Sequence, residues 1–232
     1  SVGTSDTIWQ SNNGIDWSTV TMNTEESTWK SIASDKLGNV VVLGSDQNVE
    51  ISNDHGDTWT LSDINGTTQN WNVLVYGNNK FLSIESNGSG DVAYSTDNGE
   101  NWTIVENALT PRNWINATYG NGRFVIIDNN GNTAISFDGI SWQENSIGNN
   151  TSGMSYVSYG AGIFIASGDS NIISKSADGL HWRTWGNDST VFTATQEQDW
   201  KSSAYGSSEW IIVSASGLVF NKIETGAAPV LR

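Results

Sequence analysis

Cysteine does not occur among the 232 residues of this chain, which excludes a disulfide framework, a thiolate metal site and a cysteine nucleophile. The redox compartment stays open, because folds without disulfides occur on both sides of a membrane. Proline occurs twice, and no stretch of useful length carries the periodicity of an amphipathic helix, so strands and tight turns are expected. Basic residues are also few: ten Lys and Arg face twenty-five Asp and Glu, a formal net charge of −15. Acids scattered in that excess repel phosphate backbones and anionic headgroups, which argues against nucleic-acid and membrane-surface roles. No run of about eighteen apolar residues and no charged-then-apolar leader occurs, so nothing in this sequence is expected to insert into a bilayer or direct secretion. It begins at Ser1 without Met, as an excised piece of a longer protein would.

What the sequence has instead is tryptophan, twelve of them, and repetition. The stretch SNDHGDTW at 52–59 returns as SNNGIDW at 11–17, STDNGENW at 95–102, SFDGISW at 136–142 and SADGLHW at 176–182. A second pattern lies between these boxes: WKSIASD at 29, WNVLVYG at 71, WINATYG at 114, MSYVSYG at 154 and WKSSAYG at 200, each followed by an apolar run. A third alternating segment leads into the box. The unit is therefore about forty residues and four short strands, here termed A (the Trp29-type segment), B (the apolar run), C (ending at the box Ser) and D (after the box Trp). That period matches the blade of a propeller.

The expected fold is all-β, a five-bladed β-propeller of four-stranded antiparallel blades forming a single domain over 1–232. Whole blades are expected at 29–70, 71–113, 114–153 and 154–199. The segment 1–28 resembles the C and D strands and 200–232 begins with A and B, so pairing of the N- and C-terminal strands would complete a fifth, composite blade and hide the last open sheet edge. The stretch GLVFNKI from 217 also reads as a strand C and competes with 7–11 for that place, as an extra strand or as a tail. A six-bladed ring is the alternative, and it would leave three strands missing.

Within a box the side chains dictate a turn. An Asp carboxylate accepts backbone N–H groups about two residues on, Gly supplies a positive φ, and Trp packs its ring under the turn. Asp54, Asp97, Asp138 and Asp178 hold the acceptor position and Asn13 replaces them in the first copy, while the Trp are Trp17, Trp59, Trp102, Trp142 and Trp182. Acid pairs such as DNGE at 97 lack the terminal bidentate carboxylate of a calcium loop, and no metal site is expected. His55 and His181 stand isolated inside boxes and make no zinc set.

These boxes resemble the Asp-box, the bacterial neuraminidase repeat of sialidase-like propellers. The resemblance implies that they lie on the face away from any active site. Sialidases grip the substrate carboxylate with three arginines, beside a Tyr–Glu nucleophile pair and an acid/base carboxyl. This chain has only Arg112, Arg123, Arg183 and Arg232. Arg123, in an A-to-B connection, and Arg183, just past a box, belong on the face opposite Arg112, so the clamp does not assemble. No catalytic residue and no cofactor is assigned.

The candidate ligand-binding residues are the strand-A aromatics Trp29, Trp71, Trp114 and Trp200, at the rim opposite the boxes, with Asp46, Asn87, Asp128, Asn129 and Asp169 of the B-to-C loops. Trp faces beside amides and carboxylates are what sugar binding needs. The competing reading is that these Trp wedge blades apart in the core. Trp210 takes the place of Phe124 and Phe164 and is expected in the core. Trp185, in the long connection 183–199, is the candidate exposed anchor.

Phrases such as YGNGRFVIIDNNGNTAISFDGISW from 119 resemble repeats of phage tail-fibre and surface-adhesion proteins that carry sialidase-like propellers. The function expected from this is a non-enzymatic recognition module on a virion or cell surface, binding a host glycan or receptor, with oligomerisation adding avidity. A structural or assembly scaffold that binds protein partners, as in the photosystem assembly factors that share such boxes, is the second reading. A glycoside hydrolase is the third.

Overall fold

The computed structural model describes residues 7–23, 28–45, 47–64, 70–86, 88–148, 151–169, 172–184, 199–217 and the backbone of 219–221. Every regular element among them is a strand. The chain divides into two compact units, Ser1–Asn113 and Trp114–Arg232, and the division falls on the boundary between two repeats.

In the first unit β1 (Thr7–Gln10) pairs with β2 (Ser18–Thr21) in a two-stranded sheet. The first whole blade is β3 (Trp29–Ser34), β4 (Val40–Gly44), β5 (Asn48–Ser52) and β6 (Thr60–Asp63); the second is β7 (Trp71–Gly77), β8 (Lys80–Glu85), β9 (Val92–Ser95) and β10 (Thr103–Val105). In the second unit β11 (Trp114–Gly120), β12 (Arg123–Asp128), β13 (Asn132–Ser136) and β14 (Gln143–Ser146) form the third blade. A fourth comprises β15 (Met154–Gly160), β16 (Ile163–Gly168), β17 (Ile173–Ser176) and β18 (Arg183–Thr184). Then β19 (Trp200–Gly206), β20 (Glu209–Ser214) and β21 (Val219–Asn221) make a three-stranded sheet. Each sheet is an antiparallel meander in sequence order, as the repeat demands, and the blades number about five.

The strand hydrogen-bonded to β20 is β21, part of the segment after Gly217 that competes in the sequence with 7–11 for the strand-C place. The reason is local. β21 follows β20 through a short turn in which Gly217 has a φ of 81° and donates its N–H to the Ser214 carbonyl, and a near neighbour in sequence closes a strand pair at small entropic cost.

Within each unit a core lies between the B and C strands of one blade and the A strand of the next. Val41, Leu43 and Ile51 of the first blade pack with Trp71, Leu74 and Phe81 of the second. In the second unit Val125, Ile127 and Ile135 pack with Met154, Val157 and Phe164. Ile64 and Ile147, just past strand D, join these layers, and Ile64, Leu109 and Ile147, all buried, each donate their N–H to a B-to-C loop carbonyl, those of Gln47, Gly90 and Gly131. Every A strand carries a bulge after its first residue, between Trp29 and Ser31, Trp71 and Val73, Trp114 and Asn116, Met154 and Tyr156, and Trp200 and Ser202. A bulge breaks the alternation of side chains and re-aims the residue beside it.

Candidate functional site

The boxes are the most regular feature of the structure. Ser52 Oγ accepts the Gly56 N–H at 2.8 Å and donates to Asp54 Oδ1 at 2.7 Å; that carboxylate in turn accepts the Thr58 N–H at 2.8 Å and its hydroxyl at 2.6 Å. The eight-residue box at 95–102 repeats this with Asn101. In the seven-residue boxes the acceptor takes N–H groups two and three residues on: Ile15 and Asp16 on Asn13, Ile140 and Ser141 on Asp138, Leu180 and His181 on Asp178. Asn13 thus does through its amide oxygen what the carboxylates do elsewhere. The box glycines Gly14, Gly56, Gly99, Gly139 and Gly179 all have positive φ. Trp17, Trp59, Trp102 and Trp182 each donate the indole N–H to the carbonyl of their box glycine. The buried indole N–H of Trp142 meets no acceptor.

Hydrogen bonds to the ionised form hold these acids down. The hydroxyl and N–H of Thr58, with the Ser52 hydroxyl, lower Asp54 from the ordinary 3.8 to about 2. For Asp97 burial pulls upward but is outweighed by Asn101 and Ser95, and the net shift is down. Asp138 is lowered chiefly by the N–H groups of Ser141 and Ile140. For Asp178 burial again opposes, and His181, whose Nδ1 lies 2.7 Å from Oδ2, carries the group well below the carboxylate range.

The strand-A tryptophans sit in the core. Trp29, Trp71, Trp114 and Trp200 are between 0% and 3% exposed, with the bulge beside each. They present no ring face on which a sugar could stack, so of their two readings the packing one fits the structure. Trp210 is likewise fully buried. Of the loop residues, Asp128 is buried and spends its carboxylate on the N–H groups of Asn130 and Asn132 and on the Asn132 amide. The structure brings Asn129 and Asp169 together on Gly153, whose N–H the Asn129 carbonyl accepts and whose carbonyl takes the Asp169 N–H. Asp169 Oδ1 also meets Lys201 Nζ at 2.8 Å. Asp46, Asn87 and Trp185 lie outside the described residues.

Arg123 is committed to shape. Its Nη1 donates to the Asp178 carbonyl at 2.9 Å and its guanidinium carbon stands 4.9 Å from the centre of the Phe137 ring, which joins the third blade to the box of the fourth. His55 is exposed, with its ring against Gly38.

A concave feature of the first unit lies on the box side, where β1 and β2 meet the first blade. It is a cleft of about 410 Å³ lined by Trp9, Trp17, Trp59, His55, Ile32 and Val40, among others. Trp9 and Trp17 are about half exposed, at 49% and 50%. A polar groove of about 390 Å³ adjoins it through Gln10 and Ser11 and carries Asn12, Asn13, Asp16 and Asp57. None of these residues belongs to the rim expected from the sequence. The signal that marks the cleft is in the repeat itself: the second pattern ends in Tyr-Gly in four copies and in Ser34-Asp35 in the first.

No family model matches the chain, and no curated protein matches it by sequence. Solved structures do match in fold. A structure of YCF48 bound to D1 peptide superposes with a TM-score of 0.70 over 96% of this chain and 74% of that one, at 16% identity. A catalytically inactive virginiamycin B lyase from Staphylococcus aureus with quinupristin gives 0.78 over 94% and 73%, at 9% identity. The WD40 β-propeller domain of Doa1 gives 0.65 over 97% and 72%, at 14% identity. The fold is a β-propeller.

Proposed function

We propose that this chain is a non-enzymatic recognition module that holds a segment of a protein partner, the scaffold reading of the sequence. The observation that carries it is the solvent-open cleft with half-exposed Trp9 and Trp17, since exposed aromatic rings in a concave site are what partner anchors dock against. A propeller of the same fold has been seen with a peptide bound, YCF48 with D1 peptide. Catalysis has little to work with: the box carboxylates are held ionised by turn N–H groups and Arg123 by a carbonyl, so neither proton donor nor anion clamp is available from them.

A second reading is a host-surface glycan bound by a virion or cell-surface protein without any enzyme step, and one observation favours it: Trp9 and Trp17 adjoin a groove of amides and carboxylates at Asn12, Asn13, Asp16 and Asp57, the pairing of flat ring and polar groups that orders a sugar. The test is to pan the immobilised chain against a random-peptide library and to apply it in parallel to a glycan array. Enrichment of a peptide family that binds in solution supports the first reading. Binding only to glycans replaces it with the second, and turnover of a chromogenic glycoside would overturn both.

A further inference from the structure

Four blades share a device that the first lacks. Near the box-side end of strand A a Tyr faces the first aromatic of strand B across the ladder: Tyr76 with Phe81, Tyr119 with Phe124 and Tyr159 with Phe164, all with ring centroids 4.8 Å apart, and Tyr205 with Trp210 at 5.4 Å. The residues in that register in the first blade are Ser34 and Val40. Both line the 410 Å³ cleft. Among the described residues the cleft is thus the volume that an aromatic pair fills elsewhere, bordered in this blade by Ser34 and Val40 and walled by Trp9, Trp17 and Trp59.

A packing defect would be expected to collapse or to be lined by whatever the repeat supplies. Here Trp9 has no counterpart in the later C strands, where Glu50, Ala93, Ala134 and Ser174 stand, and it adds a ring to the opening. The adjoining groove carries Asp16 and Asp57, and among the described residues no Lys or Arg lines either cavity. In a chain of net charge −15 that groove favours a cation, and a cation beside Trp faces gains further.

We infer that the cleft takes an aromatic side chain of the partner, Tyr or Phe, flanked in the partner's sequence by Lys or Arg. The ring would occupy the space of the missing Tyr–Phe pair and the basic group the groove at Asp16 and Asp57. This deepens the peptide-recognition reading and rests on it.

The experiment uses the full chain, labelled with nitrogen-15, and the acetylated and amidated pentapeptide Gly-Lys-Tyr-Lys-Gly as probe. Indole N–H signals are assigned with Trp9→Phe and Trp17→Phe. The signals of Trp9, Trp17 and Trp59 are expected to move on titration. The Ala-for-Tyr and Glu-for-Lys peptides should bind about tenfold more weakly or worse, as for loss of an anchor, and binding should weaken as salt rises from about 0.01 to 1 M.

The decisive variant is Ser34→Tyr with Val40→Phe, which installs the pair of the other blades. It should abolish the shifts while the melting temperature stays equal or rises. Trp9→Ala, at a half-exposed site, should weaken binding about tenfold with the fold intact. If the double variant folds and still binds like the parent, or if a neutral oligosaccharide moves the same signals and the peptide does not, the inference is wrong. Peptides that emerge from panning and bind the double variant unchanged would overturn this site alone and leave the recognition reading standing.

Discussion

Gly99, in the box of the second blade, lies directly on Ile51 of the first: a Cβ built on it would come 2.8 Å from Ile51 Cγ2. Gly179 repeats the relation on Val125, at 2.6 Å. The box turn is therefore also a latch onto the preceding blade, reinforced by Ser62 Oγ donating to the Gly99 and Glu100 carbonyls and by the Asn145 amide donating to the Leu180 carbonyl. Gly99→Ala and Gly179→Ala should each cost about 2–4 kcal/mol, combining left-handed strain with overpacking. Gly14→Ala, where nothing lies within 4 Å, should cost only the strain, about 1 kcal/mol. Urea denaturation of the three variants checks the difference.

Acid should weaken the fold in a definite window. Asp54 has a folded pKa of about 2 against an ordinary 3.8, so the unfolded chain binds its proton first as pH drops. Its stabilising contribution is complete above about pH 4 and is lost as pH falls towards 2. Asp97, Asp138 and Asp178 shift the same way and steepen the limb. Denaturation midpoints measured from pH 5 to pH 2 should fall, and Asp54→Asn, which mimics the box at Asn13, should shallow that fall.

Trp71→Ala should destabilise by about 3–5 kcal/mol, the cost of removing a fully buried large aromatic, and should leave peptide or glycan binding by the residual folded protein unchanged. Trp59→Ala should cost less, about 2–3 kcal/mol, since its ring is only partly buried. A Trp71→Ala protein with unaltered melting but lost binding would return the strand-A ring to the role of a ligand platform.

Glu50 is fully buried, and its carboxylate accepts the Asn23 N–H and, at 2.9 Å, the Asn23 amide. Asn23 also donates to the Trp59 carbonyl, so one side chain ties the end of β2 to the first blade. Asn23→Ala should cost about 1–3 kcal/mol by removing the amide that donates to both the buried Glu50 side chain and the Trp59 carbonyl. Thermal unfolding measures it, and a loss below about half a kcal/mol would mean that the tie is dispensable.

The sequence by itself determined the repeat, the four strands of each unit, the turn at every box and the polar roles inside it. Those are local matters: Ser, Asp and Gly at fixed offsets leave one turn with its N–H groups satisfied, and the apolar runs between them can only be strands of a few residues. The place of Arg123 in an A-to-B connection and of the two His inside boxes was also legible. Tertiary structure decided which aromatics see solvent. Trp29, Trp71, Trp114 and Trp200 look like rim residues until the folded chain buries each beside a strand-A bulge, and Trp9, one residue in a short strand, gains meaning only beside Ser34 and Val40. Burial is a property of the space between blades, and that space is set by what several distant segments leave unfilled, which no single segment encodes.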